Sequence, residues 1–317
     1  MDTFERIFQD NQRLVFAIAY RMLGSASDAE DIVQDTFIQF NRIPIGDVRN
    51  PQALLATIAT RTAIDRSRLA YRKREEYPGP WLPEPILTLQ GNDPIERLER
   101  EEFVSQAFLL ALDRLSPLDR AVFLLRDVFD FDYTEIASIV EKTAENCRKI
   151  NERARIRVRE DRSVDPPSPA RKDQLLAKFL SACAGGNLDE LVALLHEDAI
   201  FYSDGGGRVA AALNPIFGAI SSAKLIFGLN SRYAREGVKV RARFANINGS
   251  EGYLLYLNGK LDTAMTLEFE GNRVRRIYSV RNPEKLSFLK SQISSRPIRF
   301  FFVNLWLNVR LLVANCK

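Results

Sequence analysis

Ser27–Phe40 reads SDAEDIVQDTFIQF. Its apolar residues Ile32, Val33, Phe37, Ile38 and Phe40 recur at steps of three and four, with Asp28, Glu30, Asp31, Gln34 and Asp35 between them. That is the pattern of an amphipathic helix with an acidic, exposed face. Ser27 is placed to accept from the first free backbone N–H groups, Glu30 three residues later completes a capping box, and the early acids suit the positive end of the helix dipole. Taken alone, such a face is more often simply solvated than a docking surface, so its neighbours decide what it is for.

Upstream, Phe4, Ile7, Phe8, Leu14, Val15, Ile18, Ala19 and Leu23 keep helical spacing until Gly24, which predicts a second helix and a short turn. Downstream, Asn50-Pro51 opens a helix through Leu54, Leu55, Ile58, Ala59, Ala63, Ile64 and Leu69. The far end of that helix is cationic, with Arg61, Arg66, Arg68, Arg72, Lys73 and Arg74 around Asp65. Clustering on one helix end favours phosphate binding over a solvated basic face. The net charge of the 317-residue chain is only +4, but basic runs at Arg66–Arg74 and Arg148–Arg162 concentrate it in the first half, which suggests a polyanion partner. The length predicts two or three domains.

Cys147, Cys183 and Cys316 are scattered without metal-ligand spacing, so neither a metal site nor a disulfide framework is expected. The N-terminal MDTFERIFQDN lacks the basic start and apolar run of a secretion signal, and a cytoplasmic location is expected.

From Tyr77 to Asn92 prolines and glycines break the helical pattern and predict an extended linker, 76–94, with Trp81, Leu82 and Ile86 as unusual apolar members. A tryptophan between prolines normally docks somewhere. Asp93-Pro94 is expected to cap a helix from Ile95 to about Leu115, and Ser116-Pro117 caps the next. YTEIASIV, the turn Glu141-Lys142-Thr143 and a helix from Ala144 to about Glu160 then form a helix-turn-helix. Glu145, Asn146, Arg148, Lys149 and Glu152 are the candidate base readers. Arg153, Arg155 and Arg157 are candidate phosphate contacts, and Cys147 and Ile150 are expected to point inward.

Asp165–Pro169 breaks the chain again. Beyond it, helices are expected at Gln174–Ala184, Leu188–Leu195 and around Asn214–Leu229, the last preceded by Ala199–Ser203 and the tripeptide Gly205-Gly206-Gly207. Strand-like runs at Val238–Ile247, Glu251–Leu257, Thr263–Glu270 and Arg273–Val280, with hairpin turns between them, predict an α+β domain with an antiparallel sheet.

Residues 17–40, AIAYRMLGSASDAEDIVQDTFIQF, and 54–68, LLATIATRTAIDRSR, resemble the region of bacterial extracytoplasmic-function (ECF) sigma factors that binds polymerase core and reads the −10 element. The helix-turn-helix resembles the −35-reading domain of the same family, and the last domain resembles SnoaL-like members of the nuclear-transport-factor-2 cone. The motifs WLPEP (Trp81–Pro85), DGGGR (Asp204–Arg208) and NPEKL (Asn282–Leu286) are similar to those of the subgroup with a fused SnoaL-like domain, often called ECF41.

This likeness implies that Asp28, Glu30, Asp31, Gln34 and Asp35 dock on the clamp helices of the RNA polymerase largest subunit. It also implies that Arg61, Asp65, Arg66, Arg68, Arg72 and Lys73 serve −10 promoter DNA, Arg61 standing where many ECF factors carry a base-capturing Asn. A guanidinium can stack on and hydrogen-bond an unstacked base as an amide can.

The implied multidomain fold is two all-α sigma domains, 1–75 and 95–162, the second a helix-turn-helix, then a linker at 163–172, a SnoaL-like cone at 173–286 and an apolar extension at 287–317. Trp81, Leu82, Pro83, Glu84 and Pro85 are expected to meet Asp204, Gly205, Gly206, Gly207, Arg208, Asn282, Pro283, Glu284, Lys285 and Leu286 in a regulatory contact, with an unidentified small ligand as a candidate occupant of the cone. Enzyme relatives of the cone make a tethered enzyme the competing reading, with Asp204 or His196, placed at a helix end, as its acid or base. A helix-turn-helix repressor without polymerase contact is the third. No catalytic residue and no cofactor are assigned. The apolar stretch Ile298–Cys316, interrupted by Arg299, Asn304, Asn308, Arg310 and Asn315, is read first as a helix packing on the cone or another chain, second as an interfacial membrane contact, and not as a membrane span.

Overall fold

The computed structural model describes residues 3–88, 105–159, 167–295 and 302–304. The chain divides into two compact units, one of residues 1–76 and 91–162, the other of 77–90 and 163–317. The Trp81 linker therefore groups with the C-terminal part.

In the helical unit, α1 (Thr3–Leu23) and α2 (Ala26–Phe40) are separated by Gly24, whose φ of 65° reverses the chain in one residue. Because the reversal is that tight, α2 starts early: Ser25, not Ser27, is the cap, its Oγ accepting from Asp28 N at 3.1 Å. Ser27 is thus inside the first turn, and Glu30 lies beyond the position a capping box requires. The apolar stripe of α2 packs only in part: Ile32 and Phe40 are fully buried, with Phe40 edge-on to Phe4, Phe37 is half-buried against Phe8, and Ile38 is exposed. The third helix, α3 (Pro51–Glu75), is capped by Asn50, which accepts from Ala53 N at 3.1 Å.

The helix expected to run from Ile95 falls partly outside the described residues. Its described part is α4 (Gln106–Asp113), capped by Ser105. Then come α5 (Pro117–Phe123), a π-helical turn at Leu124–Val128, α6 (Tyr133–Val140) and α7 (Ala144–Arg159). Asp132 and Glu135 form a complete capping box on α6, and Glu141 takes a left-handed conformation (φ 56°) in the turn before α7. Cys147 and Ile150 are buried against the unit's core.

In the second unit, α8 (Pro169–Gly185), α9 (Leu188–Leu194) and α10 (Ala219–Arg235) pack on a sheet. Its strands are β1 (Leu195–Asp204), β2 (Ile216–Phe217), β3 (Val240–Ile247), β4 (Ser250–Leu257), β5 (Lys260–Glu270), β6 (Arg273–Val280) and β7 (Phe302–Asn304). They run in the order β2-β1-β6-β5-β4-β3-β7, and α11 (Lys285–Ser295) follows β6.

Four expectations change here. The sheet is mixed, because β1 lies parallel to β6 after the helical crossover through α10, while its other pairs are antiparallel. The helix expected around Asn214 begins at Ala219, since Ile216 and Phe217 are taken up in pairing with Phe201 and Ile200. His196, expected at a helix end, lies in β1. In the extension, residues 302–304 form a strand on β3 rather than a helix, and the rest of Ile298–Cys316 lies outside the described residues.

Between sheet and helices, Leu175, Leu176 and Phe179 of α8 and Ala223 and Ile226 of α10 meet Phe201, Tyr253, Leu267, Phe269 and Ile277. Tyr253 stacks on Phe179 and donates its hydroxyl to Leu176 O at 2.7 Å, so the one polar atom it brings into this core is satisfied.

Candidate functional site

Asp204, the last residue of β1, is fully buried, and both its carboxylate oxygens accept hydrogen bonds. Oδ1 accepts from Tyr77 OH at 2.6 Å and from Gly206 N at 3.0 Å. Oδ2 accepts from Leu82 N at 2.8 Å and from Lys285 Nζ at 2.6 Å. Lys285 Nζ also donates to Leu82 O and lies over the rings of Tyr77 and Trp81, 4.8 and 4.3 Å from their centroids. A buried ion pair therefore grips the linker at one backbone unit, Leu82, and between two aromatic rings.

Burial, and next the bond to Asp204, push the Tyr77 phenol far above its usual range, so it stays a neutral donor. Asn282 Nδ2 donates to Tyr77 OH at 2.9 Å, and the backbone N–H groups of Arg281 and Asn282 donate to Asp204 O. A Cβ on Gly206 would fall 2.2 Å from Asn282 Nδ2, which is why this loop is glycine: the linker and NPEKL segment come too close for a side chain.

Downstream, the linker joins the sheet's far end. Leu87 bridges Ile247, Ile86 N donates to Asn248 Oδ1 (3.2 Å), Asn248 N to Ile86 O (2.9 Å), and Leu87 N to Gln292 Oε1 of α11 (2.7 Å). Leu82, Pro83, Glu84, Pro85 and Ile86 are all buried, as is Leu286. Arg208 and Glu284 pair with each other at 2.9 Å on the exposed rim. Gly205 is buried, Gly206 half-buried, and Gly207 and Pro283 are exposed. Tyr77, Asn248 and Gln292 carry no motif that points to them; Tyr77 has only its place beside Pro78 and Trp81.

The helical unit distributes the other candidates unexpectedly. On α2, Asp28, Glu30, Asp31 and Gln34 are exposed and Asp35 is half-buried. Arg66, grouped with the DNA residues by sequence, faces α2 instead: its guanidinium binds Asp31 at 3.2 Å and Asp35 at 2.6 Å. Arg68 pairs with Asp65 along α3. Arg61 donates from Nε to Ile139 O at 2.9 Å and from Nη2 to Ser138 O at 3.0 Å, and meets Glu141 at 3.1 Å. Arg72 and Lys73 lie on α3 with side chains outside the described set.

On α7, Glu145, Asn146, Arg148, Lys149, Glu152, Arg153, Arg155 and Arg157 are all exposed. Lys149 pairs with Glu145, Arg148 lies over the Tyr133 ring, and Arg155 holds Asp127 through two nitrogens. Asp113, on no sequence-based list, receives Arg74 and Arg120 on one oxygen. Those two arginines also donate to Leu23 O and Met22 O at the end of α1.

Among the described residues no group of three His, Cys, Asp or Glu is placed to hold a metal ion, and no helix is long and apolar enough to cross a membrane.

Residues 7–74 match the Sigma-70 region 2 family and residues 105–158 the Sigma-70 region 4 family. The chain is 31% identical over 293 residues to the ECF RNA polymerase sigma factor SigJ of Mycobacterium tuberculosis (strain ATCC 25618 / H37Rv), covering 88% of this chain and 92% of that one. It is 26% identical over 283 residues to the probable ECF RNA polymerase sigma factor SigI of Mycobacterium tuberculosis (strain CDC 1551 / Oshkosh), covering 87% and 92%. The crystal structure of Mycobacterium tuberculosis SigJ matches with a TM-score of 0.70 at 28% identity, over 89% of this chain and 97% of that one.

Proposed function

We propose, from the premise that the chain belongs to the ECF RNA polymerase sigma factors, a division of the family's work among its parts. The chain binds polymerase core and promoter DNA and directs initiation, so it regulates transcription rather than carrying out a reaction of its own. That work belongs in the cytoplasm. The acidic face of α2 docks on the clamp helices of the largest subunit; Arg61 and the cationic end of α3 serve the −10 element; the start of α7 reads the −35 element.

The C-terminal domain is a regulator in cis. The observation that carries this reading is the buried Asp204–Lys285 pair closed on Leu82 and Tyr77 of the linker between the two DNA-reading domains. By fixing that linker, the domain governs whether both readers reach one promoter. The core between sheet and helices is built of apolar side chains, and Asp204, the domain's buried acid, has both oxygens engaged by the linker; both favour regulation over a tethered enzyme.

Docking is tested by capture of polymerase core on the immobilised full chain. Asp31→Lys with Asp35→Lys is expected to weaken capture by about tenfold or more, since reversing charges in a docking patch introduces like-charge contacts. The same pair also sets two lysines against Arg66, at a cost on the order of 1 kcal/mol for partly exposed contacts, so thermal unfolding is measured alongside to show that the variant is folded. Undiminished capture by a folded double variant would remove α2 from the interface.

A further inference from the structure

The residue assigned to base capture is not waiting in the open. Arg61 points its fork at the carboxyl end of α6, where the carbonyls of Ser138 and Ile139 accept from it and the Glu141 carboxylate adds a third contact. The end of a helix leaves its last carbonyls without intrahelical donors. Here Ala137 O is satisfied by the N–H of Lys142, whereas Ser138 O and Ile139 O are satisfied from another domain by Arg61. The left-handed turn at Glu141 brings its carboxylate round to the same guanidinium, and the negative end of the α6 dipole adds to the attraction. Nothing in the local folding of α3 requires this. Arg61 is at a surface position and its own helix is complete without the contact.

We propose that Arg61 has two mutually exclusive partners: the end of α6 in the free chain, and an unstacked −10 base in the promoter complex. The base-capture residue is then itself a latch, beside the Arg74–Asp113 and Arg120–Met22 contacts, that keeps the helix-turn-helix folded back on the −10 domain. Two geometric facts enforce the exclusion. Nε and Nη2, one of the two bidentate edges of the guanidinium, are spent on Ile139 O and Ser138 O, and Nη2 also meets Glu141, so the side chain is held in place at α6. And Glu141 precedes recognition helix α7 by only the two residues Lys142 and Thr143. That keeps Arg61 within roughly 15 Å of the −35 readers, while the −35 and −10 elements, about 25 base pairs apart by their labels, are separated by roughly 85 Å of duplex. A latched chain therefore engages one element at most, and opening must come before promoter melting.

This inference rests on the sigma-factor reading for its second partner but not for its first, and the test separates the two. In the full chain, free of polymerase and DNA, a fluorescent pair at the exposed positions Arg42 and Glu152 reports the separation of the two domains. Glu141→Lys and Arg61→Ala are each expected to raise the long-distance population about tenfold, as for loss of charge-assisted contacts. Glu145→Lys, the same charge change on α7 away from Arg61, should leave it unaltered. Unchanged distances in both latch variants, or an equal shift with Glu145→Lys, would overturn the latch.

In holoenzyme on a promoter selected with the unaltered chain, Glu141→Lys should initiate at least as fast as that chain, whereas Arg61→Ala should lose about tenfold in open-complex formation. Full activity of Arg61→Ala would overturn the base-capture half and leave the distance result standing.

Discussion

Replacing Asp204 with alanine is expected to lower the stability of the sheet-containing unit by about 3–5 kcal/mol and to release the linker. The carboxylate is fully buried and Lys285 nearly so. Removing one member of such a pair leaves an uncompensated charge in a low-dielectric site, together with Tyr77 OH and Leu82 N deprived of their acceptor. The two aromatic rings around Lys285 compensate only in part, cation–π contacts contributing about 2 kcal/mol when desolvated. Thermal unfolding measures the loss, and amide exchange at Leu82 and Ile86 reads the linker directly, since both N–H groups are protected only by the C-terminal domain.

The double variant Asp204→Ala, Lys285→Met should recover part of the loss, because a buried pair replaced as a whole by apolar groups costs far less than one broken in half. A single variant that unfolds within about 1 kcal/mol of the parent would mean that Asp204 does not hold the linker.

The second large effect is at Asp113. One of its oxygens accepts from Arg74 of α3 and from Arg120 of α5, while both arginines also donate to the last carbonyls of α1. Arg120 is buried, and desolvation lowers its pKa against the pull of Asp113, yet a guanidinium stays charged at any relevant pH. Asp113→Ala thus strands a buried cation and loosens a node joining helices from both ends of the helical unit. The expected cost is about 3–5 kcal/mol, a fall in melting temperature of about 10 °C. Asp113→Asn, which keeps the shape and one acceptor, should fall between. If instead the alanine variant melts with the parent, Arg120 must be neutralised by a group other than Asp113.

What could be read in the sequence was local. Asn50-Pro51 and Ser116-Pro117 announce helix starts because a cap is a contact between residues three apart, and Ser116 and Asn50 make those bonds. The turn at Glu141–Thr143 and the inward Cys147 follow from the same short-range periodicity. Ser27 misled because the decisive residue, Gly24, sets where the helix begins through its backbone, and Ser25 and Ser27 are equally good caps by type.

The parallel pairing of β1 with β6 was hidden because a strand's partner is not written in its alternation. The site was legible as three short motifs through family resemblance, but not their convergence on one carboxylate: Lys285 reaches Asp204 across 81 residues and Tyr77 does so across 127. For the same reason Arg66 was grouped with DNA contacts. Its helix position is basic and partly exposed, and only the packing of α2 on α3 shows that Asp31 and Asp35 stand opposite.

That last contact bears on docking. Two of the four acids on α2, Asp31 and Asp35, are paired with Arg66, so in the proposed docking a cationic clamp surface would compete with a residue of the chain itself. Exposed pairs of this kind contribute about 0–1 kcal/mol, small against an interface of many contacts. That pairing is therefore a small competitor in the docking proposed for α2, and the proposed control lies in the latch at Arg61 and the linker held on Asp204.

Transcription itself tests the cis control most directly. Core polymerase reconstituted with the full chain, and with a chain ending at Val164, is assayed for single-round initiation on the same promoter at saturating factor. With the linker held in one case and released in the other, the two activities are expected to differ by about fivefold or more. Equal activities would contradict the claim that the C-terminal domain governs initiation through the linker.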